Sequence, residues 1–193
     1  MKQTPSSHRL YIKNMVCNRC ILTVERILDE LEIPRTGIRL GEADLNRELS
    51  AEETDQLTGQ LHRVGFELID DRKTRLVEKI KNIIVTLVHE TREWPKQTLS
   101  AYLADQLHYD YKYLSNLFSE AEHTTIEKFL ISQKIERVKE LLEYDELSLG
   151  EIADQVGYSS SGHLSNQFKK VTGLTPGQFK KGKDHTRRPL DKL

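Results

Sequence analysis

The chain has 193 residues, 37% hydrophobic and 31% charged, a length and composition that fit one large or two small soluble globular domains and exclude long disorder. No stretch approaches the ~18–20 apolar residues that cross a bilayer, and the first residues, with Lys2, Ser6, Ser7 and His8, lack an export signal's apolar core; a cytoplasmic protein without a membrane partner is expected. A formal net charge of −1 excludes global attraction to nucleic acid, so any such affinity must come from a local basic surface.

Residues 1–8 read as a flexible lead. A strand is predicted over residues 9–15, with Leu10, Ile12 and Asn14 on one face and Tyr11, Lys13 and Met15 on the other. Cys17 and Cys20, the chain's two cysteines, come next. A helix over residues 20–32 sets Ile21, Val24, Ile27, Leu28 and Leu31 at helical spacing until Pro34 stops it. Short segments at 36–40 and 43–46, with Gly41 between them, resemble a tight strand pair. Ser50 followed by Glu53 is a capping-box pattern; Leu57, Leu61 and Val64 supply the apolar stripe of a second helix; Gly65 ends it before a last strand at 66–69. The order over residues 9–71 is β-α-β-β-α-β, a split βαβ arrangement.

Residues 72–75 are a charged linker, and from Leu76 onward every element reads as helical. Leu76, Val77, Ile80, Ile83, Ile84, Leu87 and Val88 make a wide apolar stripe that ends before Trp94 and Pro95. A long helix at about 125–143 carries Ile126, Phe129, Leu130, Ile135, Val138 and Leu142, and it joins two units that repeat one another.

The repeat aligns Ala104-Asp105-Gln106-Leu107 with Ala153-Asp154-Gln155-Val156, Leu114-Ser115-Asn116 and Phe118 with Leu164-Ser165-Asn166 and Phe168, and Phe129 with Phe179. The offset is 49 before the turn and 50 after it, so one residue is inserted at the turn of the second copy, where it disturbs packing least. Each copy reads as a short helix, a tight turn and a second helix, sealed by Leu114 with Phe118 or Leu164 with Phe168. Such a unit lays its second helix in the major groove of double-stranded DNA, where polar and basic side chains meet base edges. The candidate DNA-binding residues are Tyr111, Lys112, Ser115 and Asn116 in the first copy, and Ser160, Ser161, Ser165, Asn166, Lys169 and Lys170 in the second. Lys180, Lys181, Lys183, Arg187 and Arg188 add a basic C-terminal end, the last three within a flexible tail at 182–193. Paired-helix repeats also build protein-binding arrays, but these usually stack in threes or more.

Residues 76–181 resemble the DNA-binding domain of the AraC/XylS family of regulators, carried by Ile152-Ala153 with Val156-Gly157-Tyr158 and by Phe168-Lys169-Lys170, Thr172-Gly173, Thr175-Pro176 and Phe179. The resemblance implies seven helices, two recognition helices set by the long linking helix into successive major grooves, and contact with RNA polymerase. It allows homodimers or monomers. The first copy departs from it: Ser119-Glu120 and His123 stand where the second has Lys169-Lys170 and Gly173, and His108 stands at the turn glycine, Gly157. The first unit is therefore expected to bind more weakly.

Cys17 and Cys20 lie between the first strand and the first helix, where backbone N–H groups and the helix dipole favour thiolate. Two thiolates at this spacing suit Cu(I), or Zn(II) if a partner supplies more ligands; they also suit reversible thiol oxidation or a structural role. The Met15, Cys17, Cys20 pattern on this strand order resembles the heavy-metal-associated domain of copper chaperones and metal-transport ATPases, though Arg19 sets a cation beside the sulfurs. The fold class expected is an α+β N-terminal domain, ferredoxin-like in its βαββαβ order, followed by an all-α domain with two helix-turn-helix units. The function expected is sequence-specific transcription regulation, responsive to a soft metal or thiol stress; the alternative is a copper-trafficking protein whose helical half is a protein adaptor. No phosphate-binding glycine loop, activated nucleophile or paired-carboxylate motif points to an enzyme, a thiol oxidoreductase being the one option the cysteines leave open.

Overall fold

The computed structural model describes residues 8–91 and 94–182. The expected flexible lead, apart from His8, and the expected basic tail, apart from Gly182, lie outside the described residues. The chain divides into two compact units, Met1–Asn82 and Ile83–Leu193.

In the first unit, strands β1 (His8–Lys13), β2 (Arg35–Arg39), β3 (Glu42–Leu45) and β4 (Glu67–Leu68) form a sheet of order β2-β3-β1-β4, every neighbouring pair antiparallel. Helices α1 (Asn18–Glu30) and α2 (Ala51–Arg63) supply the apolar side chains that cover one sheet face. Ile12, Ala43 and Leu45 from the strands meet Val24, Ile27, Leu28, Leu57 and Leu61 from the helices in one core. Each large aliphatic side chain buried this way contributes roughly 1.5–3 kcal/mol. The capping box at α2 is formed: Ser50 Oγ accepts the Glu53 N–H, and the Glu53 carboxylate accepts the Ser50 N–H at 2.9 Å.

Two expectations for this unit need correction. Met15 does not face away from Ile12 but joins its core at 0% exposure, because β1 ends at Lys13 and Asn14 adopts a left-handed φ of 69° that breaks the alternation. Val64 is no part of the α2 stripe; it is the C-cap residue and is exposed.

Helix α3 (Arg72–His89) begins at Arg72 rather than Leu76, because the Asp71 carboxylate accepts the Thr74 N–H at 2.8 Å and supplies the missing cap. The division between the units falls within it. Its first part holds the polar sheet face: Arg75 lies over the Tyr11 ring at 4.5 Å, and Lys79 pairs with the buried Glu42 at 3.0 Å.

The second unit is helical throughout its described residues. Helices α4 (Leu99–Leu107) and α5 (Tyr111–Glu122) form one helix-turn-helix; α7 (Leu149–Gln155) and α8 (Ser161–Thr172) form the other; α6 (Ile126–Tyr144) joins them and α9 (Pro176–Lys181) follows. Among the described residues, helices α3 to α9 make the expected seven. Thr98, Asp110, Thr125, Ser148, Ser160 and Thr175 each cap a helix with a side-chain oxygen, worth about 1 kcal/mol apiece. The repeat extends to the cores. Phe118 meets Phe129 at 5.6 Å in the first copy, and Phe168 meets Phe179 at 5.5 Å in the second. Helix α6 is covered well beyond one stripe, so that Gln133, Lys134, Glu136 and Lys139 are buried alongside its apolar residues.

The two histidines of the first copy take the backbone conformation of the glycines they replace. His108 has φ 57° and His123 φ 52°, against 68° at Gly157 and 79° at Gly173. A side chain in that region costs about 1–2 kcal/mol, partly offset by the lower entropy of the unfolded chain. His108→Gly and His123→Gly should therefore each stabilise the protein by about 0.5–1 kcal/mol, measured by chemical denaturation; a loss of stability at both would refute the assignment of strain.

Candidate nucleic-acid interface

The outer faces of α5 and α8 are set by what their inner faces bury. Leu114, Leu117 and Phe118 turn α5 inward, and Leu164 with Phe168 turns α8 inward. This exposes Lys112 and Asn116 on α5, and Ser161, Asn166, Lys169 and Lys170 on α8. The two lysines occupy the last turn of α8, where positive charge also complements the helix dipole. The last turn of α5 carries no basic residue.

Three of the expected contact residues are engaged in hydrogen bonds within the protein, and a fourth is half-buried. The Tyr111 hydroxyl donates to the Glu127 carboxylate on α6, and burial together with that carboxylate pushes the phenol above its usual range. Ser160 Oγ accepts the His163 N–H at 3.1 Å as the α8 cap. The Ser165 hydroxyl donates to the Ser161 carbonyl at 2.8 Å. Ser115, at the equivalent place on α5, is half-buried. The amino-acid pattern gave the helix faces, but not which hydroxyls the fold would take for itself.

A further group, invisible in the sequence, packs at the turn of the second helix-turn-helix. The Trp94 indole N–H donates to the Gln155 carbonyl at 2.9 Å. The Lys134 ammonium donates to the Gly157 carbonyl at 3.0 Å and lies 3.9 Å from the Trp94 ring centre and 4.8 Å from that of Tyr158. Burial lowers the Lys134 pKa to about 8. Trp94 reads in the sequence only as a helix terminator, and a lysine on a surface-spaced helix position ordinarily reaches solvent.

Residues 103–182 match the family described as "Helix-turn-helix domain". The C-terminal domain of AraT, a response regulator from Geobacillus stearothermophilus, superposes with a TM-score of 0.50 at 26% identity, covering 57% of this chain and 88% of that one. The second unit carries a helix-turn-helix domain of the AraC type. The Msm operon regulatory protein of Streptococcus mutans is 25% identical over 130 residues, 65% of this chain and 47% of its own length. The raffinose operon regulatory protein RafR of Pediococcus pentosaceus is 32% identical over 79 residues, 41% of this chain and 28% of its own. The chain thus spans less than half the length of these curated relatives. The second unit has the paired architecture, with His108, His123, Ser119 and Glu120 in its first copy where the second has Gly157, Gly173, Lys169 and Lys170.

In the first unit, Cys17 is the N-cap residue of α1 and Cys20 lies in its first turn, their sulfurs 3.5 Å apart and both half-buried. Burial acts to raise both thiols. At Cys17 the N–H groups of Cys20 and Arg19 outweigh it and hold the thiol below its ordinary value, whereas burial keeps Cys20 raised. The Met15 thioether is packed in the core and is not a ligand in this arrangement. Among the described residues, no group of three or more His, Cys, Asp or Glu side chains is placed to hold a metal ion. The thiol pair fits a soft ion of low coordination number such as Cu(I), while Zn(II) would need ligands from elsewhere.

Proposed function

We propose that this protein is a sequence-specific DNA-binding transcription regulator whose recognition helices α5 and α8 enter successive major grooves, about 34 Å apart. The observation that carries the reading is the exposed row Ser161, Asn166, Lys169 and Lys170 on α8, within a domain of the AraC type. Short polar groups can read base edges while the lysines neutralise phosphates, which answers the objection raised by a formal net charge of −1. RNA polymerase is the partner through which such a protein would act. The first unit is read as a ferredoxin-like, heavy-metal-associated-like domain, supported by the β2-β3-β1-β4 order and the thiol pair at the start of α1. Cys17 and Cys20 would make DNA binding responsive to Cu(I) or to thiol oxidation. A homodimer sharing one metal between two thiol pairs is compatible with this reading.

The test is a salt-titrated selection of DNA by the full chain, run under reducing conditions with and without Cu(I). A recovered motif whose affinity shifts with Cu(I), and does not shift in the Cys17→Ser, Cys20→Ser variant, is the expected result. A motif indifferent to Cu(I) would remove the metal response and leave the regulator. No motif at all would favour the trafficking alternative. The double serine variant should also lose soft-metal binding while the helical unit keeps its thermal unfolding transition, since neither cysteine belongs to that unit.

A further inference from the structure

The third residue of each recognition helix is an aromatic ring braced by the tyrosine of the preceding turn. On α5, Tyr113 stacks on Tyr109 with ring centres 5.5 Å apart and planes 25° apart. On α8, the equivalent His163 meets Tyr158 edge-on at 5.2 Å. Tyr113 is nevertheless 45% exposed. A large ring that is both exposed and already held in one orientation loses little conformational freedom when a partner covers it.

The rest of α5 narrows what that partner feature is. Tyr111 is tied to Glu127, and Glu120 stands where the second copy has Lys170, so the helix offers one ammonium at Lys112, one amide at Asn116 and the Tyr113 ring. Tyr113 and Asn116 are three residues apart and so are neighbours on the helix surface. The major groove presents an apolar group at one base alone, the C5-methyl of thymine. We infer that Tyr113 is a specificity-determining residue of the first helix-turn-helix unit, reading a thymine methyl with the ring that Tyr109 holds in place. This rests on the DNA-binding reading above and names what the weaker unit contributes to it: base discrimination through apolar contact, in place of the phosphate contacts that its acidic end lacks.

Deoxyuridine provides a test that leaves the protein unaltered, because it lacks only the methyl group and keeps the hydrogen-bonding edge. A duplex enriched from a random library by the full chain is resynthesised with each thymine replaced in turn. One replacement should weaken binding about fourfold, the value of one methyl group removed from water. Tyr113→Phe should keep that penalty, and Tyr113→Ala should abolish it while binding the thymine duplex and its deoxyuridine analogue equally. The salt dependence should be the same in all three proteins, since no phosphate contact changes. Thermal unfolding of the Ala variant checks that its α5 is still folded. Tolerance of deoxyuridine at every position, or a penalty that persists in a folded Tyr113→Ala protein, would overturn the inference and leave DNA binding standing. Failure to enrich any duplex would overturn the DNA-binding reading and this inference with it.

Discussion

Gly157→Ala should destabilise the helical unit by about 3 kcal/mol. Two costs combine. The φ of 68° penalises any side chain by about 1–2 kcal/mol. A Cβ at this position would also lie 2.3 Å from Trp94 Cδ2, so the indole must move. Moving it strains the Trp94 bond to the Gln155 carbonyl and the packing of Lys134 against the ring. The two costs separate in a double-mutant cycle. In a Trp94→Ala background the clash is gone and only the backbone penalty remains, partly offset by the lower entropy of the unfolded chain, so Gly157→Ala should then cost about 1 kcal/mol. Chemical denaturation of the four proteins measures this; an equal cost in both backgrounds would mean that the indole yields freely and does not set the turn.

The same turn shows how far the residues themselves disclosed the fold. Gly157 is legible as a turn glycine from the repeat alone, because His108 occupies the equivalent place and the offset changes just afterwards. Its dependence on Trp94 is not legible, since that contact joins residues 63 apart and no local periodicity records it. Capping residues were legible for a related reason: Ser50 with Glu53 acts within one helical turn, and the pattern needs no tertiary context. Met15 marks the opposite limit. Alternation placed it on the far face of β1, and a single left-handed residue at Asn14 reversed it. Asparagine is among the few residues that adopt this conformation readily, so the type carried a hint that alternation overrode. At the interface, burial patterns fixed the outer faces of α5 and α8, whereas the Tyr111 bond to Glu127 joins two helices across a loop and appears only in three dimensions.

Exchanging the ends of the two recognition helices should move affinity in opposite directions. Lys169→Ser with Lys170→Glu gives α8 the residues that α5 carries at Ser119 and Glu120. If both lysines touch phosphate, the salt dependence of binding should flatten by roughly two units of slope, and affinity at physiological salt should fall about 10- to 30-fold. The reciprocal change, Ser119→Lys with Glu120→Lys, should steepen the slope by a similar amount and raise affinity about tenfold. The gain is the more discriminating result. Losing affinity from α8 follows from almost any damage to a DNA-binding helix, whereas gaining it from α5 requires that the last turn of α5 also lie against a phosphate. Both helices span 12 residues and end in a left-handed residue, His123 or Gly173, so new lysines on α5 would project from the same backbone geometry. A steepened slope would place both helix-turn-helix copies on DNA together and assign the weakness of the first copy to its charge. An unchanged slope in the α5 variant, with the loss in the α8 variant intact, would mean that only the second helix-turn-helix rests on the duplex; the deoxyuridine penalty at Tyr113 should then vanish as well.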